Sequence, residues 1–220
     1  MADIWLIRHG QAGDVMGDYD RLSDLGREQS RIAGAGWRHL GPIHHSVMGG
    51  MRRHALTAEC FEEGFGTLPP VTVDEGFNEF DHQVVVRAAL AAGITPPTSG
   101  GKAAFFEFFG AAMGRWADGA YDADYPEPYA VFQSRVVAGF GRLQARVEKG
   151  QTALVFTSGG TISAIVRSLL DLRPARAFHL NTVMVNTSFT HVQVGAGRAS
   201  LVTFNNFAHL HTTPALVTRS

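Results

Sequence analysis

The chain of 220 residues contains one cysteine and few charged residues. A single cysteine excludes an intrachain disulfide framework, and Cys60 is expected to be buried and unreactive because it follows Leu56 by four residues on a predicted helix. Charged residues make up 18% of the sequence and the formal net charge is −1, which argues against a broad surface for nucleic acid or anionic membranes. Any bound anion must therefore be held by a local cluster of cations.

The sequence also has no apolar run long enough to span a bilayer, and its N-terminus shows no secretory signal. We therefore expect a cytoplasmic protein. The ten histidines form no zinc-binding pattern, and the G-x-x-x-x-G-K-[ST] string of nucleoside triphosphatases is absent. A chain of this length, 45% hydrophobic, can bury its own core, and residues 1–220 are treated as a single domain.

Short apolar runs alternate with amphipathic helical patterns along the chain. The predicted strands lie at residues 4–7, 46–48, 71–73, 153–156, 183–194 and 201–204. The first predicted helix begins at Ser23 or Asp24 and ends at Leu40, before Gly41-Pro42. This alternation predicts an α/β fold, a three-layer α/β/α sandwich with a mostly parallel central sheet.

The region from about residue 84 to residue 128 departs from the alternation. It holds a predicted loop at residues 90–101, rich in Gly, Pro, Ser and Thr, and a predicted helix at residues 102–118 with four phenylalanines between positions 105 and 109. We interpret this region as a helical, aromatic-rich insertion. It forms either a lid over a partly apolar substrate or part of the core, and core packing is the more usual role of aromatic residues.

Three polar motifs follow predicted strands, at the strand ends where ligands of open α/β sheets bind. They are Arg8-His9-Gly10, Arg52-Arg53 and Ser158-Gly159-Gly160. An imidazole can act as a nucleophile, an arginine offers a planar fork to phosphate oxygens, and a helix N-terminus favours anions. Taken singly, each motif also has an ordinary explanation: a core histidine, a solvated helix start or a plain glycine turn.

Together these motifs resemble those of the histidine phosphatase superfamily, also called the phosphoglycerate mutase-like family. The segment Ile7-Arg8-His9-Gly10 resembles its defining motif, in which the histidine is transiently phosphorylated. Residues 22–29 resemble its L-[ST]-x-x-G-x-x-Q segment. Arg53, four residues before Thr57-Ala58, resembles the second phosphate-binding arginine of its R-A-x-x-T-A pattern.

The remaining motifs continue the resemblance in the same order. Residues 77–80 are similar to the segment that supplies the acid, residues 158–162 to H-G-G-x-I, and residues 205–210 to the terminal N-x-x-x-H-L. The resemblance covers most of the chain and implies a phosphoglycerate mutase-like fold.

The resemblance implies a mechanism without metal or other cofactor. His9 would attack the phosphorus of a monoester and become a phosphohistidine, and Glu79 would protonate the leaving alcohol and then deprotonate a water molecule. The implied phosphate-binding residues are Arg8, Arg53, Ser158 and Gly159. The partner would be a small phosphorylated substrate, neither nucleic acid nor membrane, and a homodimer is allowed.

Two positions depart from the family pattern. Ser158 stands where H-G-G-x-I has a second catalytic histidine, and Gly49 stands where a serine usually precedes the second arginine by four residues. A serine hydroxyl donates one hydrogen bond but brings no positive charge, and loss of one such electrostatic contact commonly lowers the rate by ~10²–10³. The change at Gly49 is expected to matter less.

These departures leave several activities open. A phosphomonoester hydrolase is favoured over a mutase-like phosphotransferase because a mutase needs a basic cap, whereas beyond Arg87 the insertion offers only Lys102 and Arg115. The strongest alternative is a pseudoenzyme that binds anions with weak or no turnover, which Ser158 supports. A serine hydrolase is disfavoured because Ser158 lacks the G-x-S-x-G spacing.

Overall fold

Six strands form a single sheet among the residues that can be described. The computed structural model of the protein describes residues 1–13, 19–99 and 101–219, without the side chains of residues 102 and 103. The strands are β1 (Ala2–Arg8), β2 (His45–Met48), β3 (Val71–Val73), β4 (Thr152–Thr157), β5 (Phe189–Gly195) and β6 (Arg198–Asn206). They lie in the order β3-β2-β4-β1-β5-β6. Strands β1 to β4 are parallel, whereas β5 is antiparallel to β1, and β6 to β5.

Helical layers cover both faces of this sheet. The helices are α1 (Asp24–Gly36), α2 (Arg52–Phe65), α3 (His82–Ala91), α4 (Gly101–Asp118), α5 (Tyr129–Arg146), α6 (Gly159–Leu170) and α7 (Pro174–Val183). None of these described helices combines the length and apolar character needed to cross a membrane. The predicted α/β fold with a mostly parallel central sheet is confirmed.

The central strands are buried on both faces, which explains their uninterrupted apolar sequences. Leu154 and Phe156 pack in the layer that contains α1 and α2, whereas Ala153 and Val155 pack with the helices of the opposite layer. Cys60 on α2 is buried as expected, and burial raises the pKa of its thiol.

The first helix is shorter than predicted. Helix α1 ends at Gly36, not at Leu40, and Arg38–Leu40 forms a separate 3-10 turn. The two glycines in the last turn of α1 have poor helix propensity. The following residue, Trp37, stacks on Phe189 with 4.2 Å between ring centroids, which holds the chain against the sheet instead of along the helix axis.

The strand predicted over residues 183–194 begins only at Phe189. Val183 is instead the last residue of α7, a helix that the sequence analysis missed although Pro174 at its first position is typical of a helix start. Residues 184–188 are buried and connect the two elements, with a positive φ of 61° at Thr187. Their buried, partly β-branched composition resembles that of a strand, which accounts for the error.

The predicted insertion contains α4, which agrees with the predicted helix, and most of α3, which was not predicted. Its aromatic residues divide between the two roles considered above. Phe108, Trp116 and Tyr125 are buried in the core, whereas Phe105 and Phe106 are 56% and 55% exposed. Core packing therefore describes only part of the insertion.

Helices α1 and α2 cross at very close range. A Cβ added at Gly34 would lie 2.0 Å from the carbonyl oxygen of Phe61, and one added at Gly64 would lie 2.0 Å from the carbonyl oxygen of Arg31. Only glycine fits at these two positions without moving a backbone. Because Arg53 lies in the first turn of α2, this crossing also determines where that arginine is presented.

We expect Gly34→Ala to lower the free energy of unfolding by about 3 kcal/mol, because the added methyl group would push α1 and α2 apart. The matched control is Gly141→Ala in α5, where an added Cβ meets no atom within 4 Å. That control should stabilise the protein by ~0.5–1 kcal/mol through helix propensity. Urea denaturation followed by circular dichroism measures both, and equal effects would contradict the close crossing.

Candidate active site

The carboxyl ends of three neighbouring strands bring the predicted site residues together. Arg8 ends β1 and His9 follows it, Ser158 follows β4, and Arg53 lies in the first turn of the helix after β2. In the sheet, β4 lies between β1 and β2. The side chains of these four residues are all buried, with exposures of 7% or less. The structure therefore brings these four residues of the predicted site together at one edge of the sheet.

His9 is held as a neutral imidazole. The carbonyl oxygen of Gly10 lies 2.7 Å from its Nδ1 and accepts a hydrogen bond from that nitrogen, which leaves Nε2 with the free electron pair. Burial lowers the pKa of His9 well below its usual value, and the nearby charges of Arg53 and Arg8 lower it further. The uncharged form is the one that can act as a nucleophile.

The two arginines are only partly satisfied by the protein. Nη1 of Arg8 donates to the carbonyl oxygen of Met184, and Nη1 of Arg53 donates to Oδ1 of Asp20 at 2.8 Å. Within the described ranges, the buried Nε atoms of Arg8 and Arg53 have no hydrogen-bond partner. Buried N–H groups of this kind are normally paired, so the arrangement is suited to an anionic ligand that accepts from both arginines.

Glu79 is anchored by two backbone amides, one in the first turn of α6 and one from the residue that follows Glu79 in the chain. Its Oε2 accepts from the Gly160 amide at 2.8 Å, and its Oε1 accepts from the Phe80 amide at 3.1 Å. Burial raises the pKa of this carboxyl, while the two amides and the charges of the arginines act in the opposite direction. A carboxyl with a raised pKa is suited to give up and take back a proton near neutral pH.

The two glycines after Ser158 allow neighbouring side chains to approach the backbone closely, and they do not leave both backbone amides free for an anion. A Cβ at Gly160 would lie 2.2 Å from Oε1 of Glu79, and one at Gly159 would lie 2.1 Å from Oδ1 of Asn181. The amide of Gly160 is occupied by Glu79, so it is not available to a phosphate oxygen. Gly159 does line the cavity that contains His9.

Sequence reasoning missed one buried histidine in this site. Nε2 of His54 lies 2.7 Å from Oγ of Ser158, and the His54 ring centroid lies 6.0 Å from that of His9. Burial and the charge of Arg53 lower the pKa of His54 to about 3, so it is neutral. A signal was present, since His54 occupies the alanine position of the R-A-x-x-T-A pattern.

Other missed residues had no such signal. Asp20 binds Arg53, and Tyr19 places its ring centroid 5.5 Å from the Arg53 guanidinium carbon. Asn181 lies on α7, a helix that was not predicted, and Arg219 follows the last motif of the chain. Only the folded chain brings these side chains to the site.

A cavity of about 330 Å³ opens at the site. Polar groups of His9, Arg8, Arg53 and Glu79 line one part of it, and Phe105, Phe106 and Phe109 of α4 line another. An adjoining groove of about 710 Å³ between α4 and α7 shares Phe106, Phe109, Asn181 and Thr182 with it. The site thus combines a cationic end with an apolar wall. No group of three or more His, Cys, Asp or Glu side chains placed to hold a metal ion occurs among the described residues.

Residues 4–207 match the sequence profile of the Histidine phosphatase superfamily (branch 1). The chain belongs to this superfamily. Among curated protein sequences, no significant match is found.

Solved structures with the same fold include both phosphatases and a mutase. A phosphoserine phosphatase variant from Entamoeba histolytica, solved with phosphoserine, has a TM-score of 0.68 at 19% identity, covering 96% of this chain and 100% of its own. A mycobacterial glucosyl-3-phosphoglycerate phosphatase has a TM-score of 0.61 at 23% identity, covering 92% and 98%. A phosphoglycerate mutase from Bacillus anthracis has a TM-score of 0.64 at 16% identity, covering 95% of each chain. At these identities the likeness shows the fold, and the predicted phosphoglycerate mutase-like fold is confirmed.

For this member of the histidine phosphatase superfamily, we expect inorganic phosphate to bind between the two arginines and to raise the melting temperature. Arg53→Lys keeps the charge but removes the Nε–H and the planar fork, so phosphate affinity should fall ~10-fold or more. Isothermal titration calorimetry measures the affinity.

The control for this measurement is Arg142→Lys, which changes an exposed arginine paired with Asp74 on a different part of the surface. Its phosphate affinity should match that of the wild type. An Arg53→Lys variant with unchanged affinity would contradict the phosphate site.

Proposed function

We propose that this protein is a metal-independent phosphomonoester hydrolase that acts through a phosphohistidine on His9. The observation that carries the proposal is a neutral, buried His9 beside two buried arginines whose Nε–H groups are unpaired in the described part of the chain. A dianionic phosphate monoester would satisfy both arginines and present its phosphorus to the imidazole. Membership of the superfamily supports phosphatase-type chemistry.

In the first step, Nε2 of His9 attacks phosphorus and the bond to the ester oxygen breaks. Glu79 gives its proton to that oxygen, so the alcohol leaves in neutral form. Arg8 and Arg53 stabilise the charge on the non-bridging oxygens, which is the main requirement when phosphoryl transfer is loose. The product of this step is a phosphohistidine with Glu79 ionised.

In the second step, water attacks the phosphohistidine. Glu79, now a carboxylate, takes a proton from the water as its oxygen bonds to phosphorus. The bond between phosphorus and Nε2 of His9 breaks, and inorganic phosphate leaves. His9 and Glu79 then have their starting protonation states, so no further reactant is needed.

The lining of the cavity supports hydrolysis over mutase chemistry. Among the described residues, Arg219 is the cation that lines the cavity besides Arg8 and Arg53, while α4 contributes three phenylalanines. Arg115 instead binds Asp124 and Tyr125, and the Lys102 side chain lies outside the described residues. A mutase must retain and rebind an anionic intermediate, for which an apolar wall is unsuited. We infer a substrate whose alcohol is partly apolar.

An anion-binding protein with weak turnover is the second candidate, and Ser158 is the observation that favours it. The cytoplasmic location, the small phosphorylated partner without nucleic acid or membrane, and the possible homodimer stay predictions.

We expect His9→Ala to abolish hydrolysis of para-nitrophenyl phosphate, because His9 supplies the nitrogen that accepts the phosphoryl group in the proposed mechanism. Wild-type activity should be unchanged by EDTA, and the wild type should form an acid-labile phosphohistidine with labelled substrate. His44→Ala is the matched control, since His44 is exposed and precedes β2 at the opposite end of the sheet. Turnover in His9→Ala, or loss of turnover with EDTA, would refute the mechanism.

Glu79→Gln should affect substrates according to their leaving groups. An alkyl phosphate needs its oxygen protonated, so its hydrolysis should fall by ~10²–10⁴, whereas release of para-nitrophenolate should fall much less. Because burial raises the pKa of Glu79, the acid form persists to higher pH than in an ordinary glutamate. In the wild type, the single-turnover rate of alcohol release should therefore decline as pH rises through that pKa. Rapid-quench measurements test this, and an equal loss for both substrates would rule out Glu79 as the acid.

A further inference from the structure

The contact between His54 and Ser158 is buried within the site but is not used by the mechanism above. His54 is 0% exposed and Ser158 is 1% exposed. Oγ of Ser158 lies 2.7 Å from Nε2 of His54 and 3.5 Å from Nη2 of Arg53. A hydroxyl can donate one hydrogen bond and accept another, so Ser158 can bind both neighbours at once.

The charge of Arg53 fixes the direction of one of these two bonds. Arg53 can only donate, so Ser158 Oγ accepts from its Nη2. In the contact between Ser158 Oγ and Nε2 of His54, the donor is set by the tautomer of the neutral imidazole, and either tautomer makes a hydrogen bond. The result is a hydrogen-bonded chain from Arg53 through Ser158 to His54.

This chain holds one branch of the Arg53 guanidinium while Asp20 holds the other. Nη1 donates to Asp20 at 2.8 Å and Nη2 to Ser158 at 3.5 Å, whereas the buried Nε has no partner in the described ranges. Fixing both terminal nitrogens fixes the plane of the guanidinium. The direction of the unpaired Nε–H is thereby set as well.

The three residues that depart from the family pattern, Gly49, His54 and Ser158, lie next to one another in the structure. A Cβ added at Gly49 would lie 2.5 Å from Nδ1 of His54, and equally close to the carbonyl oxygen of Phe77. Gly49 therefore leaves the room that the imidazole of His54 occupies. The departures at positions 49, 54 and 158 form one packed unit.

We propose that His54 is a positioning residue, which acts through Ser158 to orient Arg53, so that two uncharged side chains replace the imidazole matched to position 158 in the family pattern. This proposal rests on the proposed function for its catalytic consequences, but the orientation of Arg53 bears on phosphate binding alone. Two experiments separate these readouts: inorganic phosphate affinity and kcat/KM for para-nitrophenyl phosphate.

His54→Ala and Ser158→Ala should each weaken phosphate binding and lower kcat/KM by ~10-fold, and the double alanine variant should be no worse than either. His54→Gln offers an amide that can accept from or donate to Ser158 Oγ and should recover most of the loss. Thermal unfolding checks that each variant folds. Additive losses, or His54→Ala with wild-type affinity and kcat/KM, would overturn the proposal.

An exchange of residues tests the same idea without leaving a hole. Ser158→His alone should be poorer than Ser158→Ala, because the new imidazole would need the space that His54 occupies 2.7 Å from Oγ. The double variant Ser158→His with His54→Ala should have a higher kcat/KM than either Ser158→His or His54→Ala alone. A double variant no better than Ser158→His would overturn the proposal. If the wild type binds phosphate but shows no turnover, the hydrolase proposal fails, and the phosphate affinities of the same variants still decide the role of His54.

Discussion

Two guanidinium groups, buried within electrostatic range of each other and incompletely paired, are the constraint on which the site depends. Burial and the charge of Arg53 both lower the pKa of Arg8, and both arginines lower the pKa of His9. Removing such charges from water is expensive unless their N–H groups are satisfied. The fold meets part of this requirement with Asp20, Met184 and Ser158. In the proposed function, a phosphate group would meet the rest.

The positive charges of Arg8 and Arg53 also act differently on the two titratable groups of the site, His9 and Glu79. They keep His9 neutral and therefore nucleophilic, whereas Glu79 is subject to opposing effects from burial and from the arginines. Position matters as much as charge. Glu79 reaches its place only because residue 160 is glycine, and Asn181 reaches the cavity only because residue 159 is glycine. These glycines thus act through the side chains that they admit.

The sequence was sufficient to predict the central strands of the sheet and the polar residues that follow them. Strands β1 and β4 are buried on both faces, so their apolar runs are continuous and easily detected. The connection before β5 has a similar composition without being a strand, which is why the start of that strand was misplaced. The insertion could not be resolved from composition, because α4 places Phe108 in the core and Phe106 at the cavity.

His54 shows why motif matching alone could not complete the site. Motif matching uses the residues that agree with a pattern, and the mismatch at position 54 becomes informative only when the fold brings Nε2 of His54 within 2.7 Å of Oγ of Ser158.

The pairing of His54 with Ser158 affects the ground state and the transition state differently. A neutral pair that orients Arg53 preserves contacts made to phosphate before and during transfer, but it adds no charge where charge develops. Interactions that strengthen only in the transition state are the ones that raise kcat. A site built in this way would bind phosphate more effectively than it accelerates transfer, which would reconcile the proposed anion pocket with a serine in place of the cationic imidazole at position 158.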